Sequence, residues 1–196
     1  MNDVKKSDDE LWQLTRENHE SSFNQLMERY LPSLLHYGGK FSEDYALVQD
    51  CVQEVLADLW MRRTRETPIL SVRAYLFAAV RNRVCREARK AGRTGMLDEN
   101  NEYSLFDAVF SVEDTWIADE SERERLRKLN LLVNRLQPRQ KEIIYLRYYQ
   151  GLEKNQIAEV LDIHYQSVSN LLHRTLTALR KQFTVLLHVF LAWKYF

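Results

Sequence analysis

Residues 152–183 read LEKNQIAEVLDIHYQSVSNLLHRTLTALRKQF, two runs of helical periodicity separated by three residues. Ile157, Ala158 and Leu161 fall on one face of a short helix, and Asp162, Ile163 and His164 supply a turn. A second helix follows at once, with Val168, Leu171, Leu172, Leu176 and Leu179 as its expected buried stripe. Gln166, Ser169, Asn170, His173 and Arg174 are left on the outward side. The small Ala158 allows the two helices to cross closely, which is the layout of a helix-turn-helix. Polar side chains in the N-terminal half of such a second helix meet base edges in the major groove, and Arg147, Arg180 and Lys181 are placed to hold phosphates. A plain helical hairpin with a polar outer face is the alternative reading of the same pattern.

Upstream, residues 122–136 predict a helix with Leu126, Leu129, Leu132, Val133 and Leu136 inward. Pro138 opens the next helix, and Gly151 closes it as a C-terminal cap. The N-terminal half carries four more helical segments. Ser7 and Glu10 have the spacing of a capping box ahead of Leu11, Trp12 and Leu14. Phe23, Leu26, Met27, Tyr30 and Leu31 step by three and four up to Pro32, which either sits in a continuing helix or marks a kink. Residues 43–61 place Val48, Val52, Val55 and Leu59 on one stripe, widened by Cys51, Leu56 and Trp60, with Asp50, Gln53, Glu54 and Asp58 opposite. Pro68 interrupts the chain before Val72, Tyr75, Leu76, Ala79, Val80 and Val84 restore a helical period, and this helix also carries Arg73, Arg81, Arg83, Arg86, Arg89 and Lys90.

The composition agrees with an all-α chain. Only 5 Gly and 3 Pro occur among 196 residues, against an average nearer ~12%, which starves the chain of the turns that sandwiches and barrels require. Two Cys, at 51 and 85, and no clustered His argue against a disulfide framework and a structural metal. The opening MNDVKKSDDE lacks an apolar run of signal-peptide length, so a cytoplasmic location is expected.

The net charge of zero conceals strong blocks. Residues 1–60 hold 5 basic and 12 acidic residues, 61–97 hold 10 and 2, 98–120 hold 0 and 8, and 121–183 hold 12 and 6. Local basic patches bind phosphate whatever the overall balance, because the relevant range is about a Debye length. The expected organisation is two small helical domains, 1–93 and 122–183, joined by a flexible acidic linker, 94–121, and followed by an apolar tail, 184–196. That tail is too short to span a bilayer and extends the last helix; packing on the C-terminal domain, a partner surface and interfacial membrane contact all stay open for it. No P-loop, Ser/His/Asp arrangement or metal-ligand cluster appears, so no catalytic residue, metal, cofactor or small-molecule substrate is expected.

Two sets of motifs carry a family likeness. The C-terminal half has Leu136-x-Pro138-x-Gln140-x-Glu142-Ile143, Leu146-Arg147-Tyr148-Tyr149-x-Gly151-Leu152, Ile157-Ala158-Glu159 and Ser167-Val168; the N-terminal half has Phe23, Asp50-x-x-Gln53-Glu54, Trp60, Tyr75-Leu76 and Arg81-Asn82. In this order, over nearly the whole length, the chain resembles a bacterial RNA polymerase sigma factor of the extracytoplasmic-function group.

The resemblance implies a non-enzymatic factor that binds core RNA polymerase, at the clamp helices and flap of its large subunits, and directs initiation at promoter minus-10 and minus-35 elements. It assigns polymerase docking to Asp50, Gln53, Glu54 and Asp58. Minus-10 binding goes to Arg62, Arg63, Arg65, Arg73, Arg81, Asn82 and Arg86, with residues 62–70 as the base-capturing loop. Minus-35 binding goes to Gln166, Ser167, Ser169, Asn170, His173 and Arg174. An anti-sigma protein, membrane-bound in some members, is a further implied partner. The linker is implied to thread toward the polymerase active-site cleft. Two positions depart from the family pattern: Glu153 and Gln156 stand where Ser and Glu usually cap the first helix of the motif, and Asp162 replaces the usual Gly of the turn. A helix-turn-helix regulator and a sigma-like adaptor that does not initiate transcription are the competing readings.

Overall fold

The computed structural model describes residues 6–65, 69–91, 106–108 and 120–194, with side chains in the last stretch described for 127–182. These residues form helices and connections, with no strand among them: α1 (Asp8–Arg16), α2 (Glu20–Gly38), α3 (Tyr45–Arg62), α4 (Val72–Lys90), α5 (Glu120–Asn134), α6 (Pro138–Ile144), a π-helical turn (Tyr145–Tyr149), α7 (Lys154–Leu161) and α8 (Tyr165–Lys194).

The first four helices make one domain because each has an apolar stripe, and α1, α3 and α4 also have side-chain caps. Ser7 and Glu10 form the expected capping box, with Ser7 N donating to Glu10 Oε2 at 2.7 Å and Glu10 N to Ser7 Oγ at 3.2 Å. Asp44 and Ser71 cap α3 and α4 by accepting from the amides of Leu47 and Ala74, each at 3.2 Å. Helix α2 runs through Pro32 without ending. The α3 stripe is buried as expected, with Val48, Cys51, Val52, Val55, Leu56 and Leu59 inside. It faces α2 and α4, whose Leu76, Phe77, Val80 and Val84 complete this core.

In the C-terminal half, α8 is the spine against which α5, α6 and α7 pack. Its backbone continues as helix into the apolar tail, ending at Lys194. Helix α4 packs on α7, joining the halves. The linker contributes residues 106–108, where the Asp107 amide donates to the Lys40 carbonyl at 2.7 Å and Phe106 is 1% exposed. Phe110 and Trp116, the other large aromatic residues of the acidic linker, lie outside the described residues.

Candidate functional site

The helix-turn-helix is built as the spacing requires, with one correction. Gln156 Oε1 accepts from the Glu153 amide at 2.9 Å, so α7 is capped by the residues that replace the usual pair. Glu153 also ion-pairs with Arg147 at 3.0 Å. Asp162 ends α7 at φ 50° and ψ 51°, in the left-handed region. Helix α8 then buries Val168, Leu172, Thr175 and Leu179, whereas Leu176, expected in that stripe, is exposed. The true stripe keeps the 3.6-residue period, and Leu176 lies one position off it. Gln166, Ser167, Asn170, His173 and Arg174 are exposed and Ser169 is half-buried. Gln166 Nε2 donates to Asn170 Oδ1 at 3.2 Å, which pre-orders two of these polar groups.

On α3, Asp50, Gln53, Glu54 and Asp58 are all exposed. Arg83 of α4 ion-pairs with Glu54 and, at 2.8 Å, with Asp58, so a cation from the next helix holds two of the four carboxylate and amide groups in place. Gln53 also lines a groove of about 440 Å³ between α2 and α3, with Phe23, Met27, Leu56 and Trp60 as its apolar walls. A polar rim over an apolar groove suits a helical protein partner.

The residues assigned to minus-10 binding divide into three groups. Arg62, Arg65, Asn82 and Arg86 are exposed, although Arg86 Nε also reaches Glu87 at 3.0 Å. Arg63 is folded back on its own domain, with its guanidinium carbon 3.9 Å from the Trp60 ring centre and Nε bonded to Asn18 Oδ1 at 2.9 Å. Arg73 and Arg81 instead face the C-terminal domain. Arg73 donates to the Gln150 carbonyl, and Arg81, 2% exposed, donates from Nε to Glu142 Oε1 at 2.8 Å. Among the aromatic residues nearby, Phe77 is buried core, while Trp60 and Tyr75 are half-buried. Trp60 packs on Phe23 with ring centres 5.0 Å apart.

The junction holds residues that the sequence reading left without a role. Glu142 and Tyr37 are fully buried, and the Tyr37 hydroxyl donates to Glu142 Oε1 at 2.7 Å. Burial, reinforced by the Glu142 charge, pushes the Tyr37 hydroxyl well above its ordinary pKa, so it stays a donor. His36 Nδ1 lies 2.7 Å from the Tyr145 hydroxyl. A buried Glu in α6 and a buried Arg in α4 each ask for a partner, which is the signal in the chain that two charged residues 61 positions apart would meet.

Comparison with known proteins identifies both halves. A family model described as Sigma-70 region 2 matches residues 26–94, and one described as Sigma-70, region 4 matches residues 126–179. Between them they cover more than half of the chain. No curated protein matches. A solved structure titled "Structure of CnrH in complex with the cytosolic domain of CnrY" has 19% sequence identity and a TM-score of 0.53, covering 91% of this chain and 96% of that one, a likeness of fold. The helix-turn-helix with its exposed polar face lies inside the region 4 match, and the acidic α3 face and basic α4 lie inside the region 2 match. With region 2 followed by region 4 and a linker between them, the chain belongs to the sigma-70 family, as a non-enzymatic, promoter-recognising sigma factor of the extracytoplasmic-function type.

Proposed function

We propose how the work of this sigma factor is divided among its residues. Asp50, Gln53, Glu54 and Asp58 dock on core RNA polymerase, where an acidic helix face with an apolar groove beside it complements a basic helical surface. Arg62, Arg63, Arg65, Arg73, Arg81, Asn82 and Arg86 bind the minus-10 strand, the arginines tracking its phosphates. Gln166, Ser167, Ser169, Asn170, His173 and Arg174 read the minus-35 element from the major groove. The functional units are 1–93, 94–121, 122–183 and the tail 184–196, and the factor acts in the cytoplasm beside its polymerase. The complex of CnrH with the CnrY cytosolic domain supports a comparable protein partner here, an anti-sigma protein. The observation that carries the reading is the exposed polar row on the first turns of α8, standing over a buried stripe in a capped helix-turn-helix. Run-off transcription with bacterial core polymerase on genomic DNA fragments tests it: specific transcripts that require this protein are expected. Core binding without transcripts would make it an adaptor instead.

A further inference from the structure

Helix α8 carries a second pattern besides its core stripe. It runs unbroken for 30 residues, Tyr165–Lys194, about 45 Å, with no Gly or Pro inside it. From Leu176 onward, Leu176, Leu179, Phe183, Leu186, Phe190 and Trp193 recur at alternating steps of three and four, the a and d positions of consecutive heptads. Thr177, Lys181, Thr184 and His188 step along the opposite side of the same helix. The core stripe 168, 172, 175, 179 accounts for Leu179 but not for Leu176, which the fold leaves 38% exposed. A leucine left in water is thus the first member of an apolar row that continues through the tail.

Charge and area together favour an identical helix as the partner of this row. No a or d position is charged, and the flanking Gln182, Leu187 and Val189 are uncharged too. Nothing along these positions selects a partner of opposite charge or repels a second copy. A helix related by a two-fold axis presents the same heptad positions back, which makes such a row self-complementary. Phe183, Phe190 and Trp193 each offer about 150–250 Å² to burial. With the three leucines added, each copy comes near the ~800 Å² that a stable interface buries per partner. A helix lying in a membrane surface needs a polar face rich in Lys and Arg, whereas the opposite side here holds the single cation Lys181.

We propose that α8 pairs with α8 of a second copy of this chain, heptad against heptad, along the row that begins at Leu176 and ends at Trp193. The short coiled coil lies C-terminal to Gln166, Ser167, Ser169, Asn170, His173 and Arg174. It therefore does not rest on the minus-35 role proposed for them, and it gives the apolar tail its use.

Sedimentation equilibrium of the full chain at micromolar concentration tests the pairing. The wild type should have twice the 23.4 kDa mass of one chain. Phe190→Glu places a charge at an a position and should raise the dimer dissociation constant at least roughly tenfold. Leu176→Lys should weaken the dimer in the same direction, and because Leu176 is exposed its thermal unfolding should match that of the wild type. The double variant Thr184→Glu and His188→Glu adds two charges on the opposite side of the helix and should leave the dimer intact. A wild type of single-chain mass would overturn the pairing, and one that also co-sediments with phosphatidylglycerol vesicles would give the row to a lipid surface. Dissociation of the double variant as complete as that of Phe190→Glu would overturn the heptad register, leaving only unspecific apolar association. Run-off transcription reads promoter use and not mass, so a failed division of labour and a failed pairing give different results.

Discussion

Asp162 holds a left-handed backbone, φ 50° and ψ 51°, where a Cβ crowds the neighbouring carbonyl. Aspartate tolerates the region better than most residues but less well than glycine. Asp162→Gly should therefore raise stability by about 0.5–1 kcal/mol in urea denaturation, without changing which face of α8 is exposed. A loss of stability would mean that the carboxylate interacts favourably with the positive N-terminal end of α8. Arg174, exposed on α8, is argued from chemistry: a guanidinium in the groove grips a guanine edge bidentately. Arg174→Ala should cost promoter binding about 1–3 kcal/mol and relax preference at one base pair. Equal weakening on every DNA sequence would make it a phosphate contact instead. Residue by residue, the outward row of α8 follows from spacing alone, because polar side chains there have no other place to go. The inward row is read less well. Hydrophobicity favours Leu176, yet the period 168, 172, 175, 179 puts Thr175 inside and leaves Leu176 at 38% exposure. Geometry overrides residue type at that one position.

Helices with a strong stripe and a cap can be read from the chain, as α1, α3 and α4 are, since each cap residue and each apolar position acts locally. The turn at Tyr145–Tyr149 cannot. Its π-helical bond from the Gln150 amide to the Tyr145 carbonyl, 3.0 Å, adds a residue to the turn, leaving Tyr145 buried and Tyr148 exposed. Nothing in YLRYY distinguishes that from an ordinary helical end; it is set by what Tyr145 packs against. Contact between elements also explains Gly38, the last residue of α2. A Cβ built there would lie 2.7 Å from Val48 Cγ1, a stiff, buried branch on α3. Gly38→Ala should therefore destabilise the N-terminal domain by about 1–2 kcal/mol despite alanine's better helix propensity, read by thermal unfolding. Helix α3 offers a test of function as well. Reversing Asp50 and Glu54 to Lys should cost core polymerase binding at least tenfold in a pull-down titration. Glu54 is an exposed partner of Arg83, which keeps Asp58 at 2.8 Å, so the fold should lose less than about 1 kcal/mol. Undiminished binding would remove this face from the polymerase interface.

At the scale of the molecule, the division into two helical domains follows from charge blocks and the long acidic stretch, but their mutual seating does not. Arg81 and Glu142 each sit within a motif of their own domain, and periodicity carries no information across 61 residues. The same seam makes the arrangement of the domains sensitive to acid. His36 faces the Tyr145 hydroxyl at 2.7 Å, and that hydroxyl already accepts from Gln150 Nε2 at 2.8 Å. Burial pushes the Tyr145 pKa up to about 12, so it remains a donor, and the His36 nitrogen it meets must accept. Burial, with repulsion from Lys40, accordingly holds His36 below its ordinary 6.5. When His36 leaves the seam its pKa returns toward 6.5, so the open form binds the proton more readily than the closed one. The contribution of His36 to closure is thus complete above about pH 6.5 and is lost as pH falls below it toward the depressed value. The radius of gyration of the wild type should rise between about pH 7.5 and pH 5.5, while His36→Asn, which cannot titrate, should show a smaller change over the same range. An identical profile in the two proteins would assign the acid response to groups other than His36.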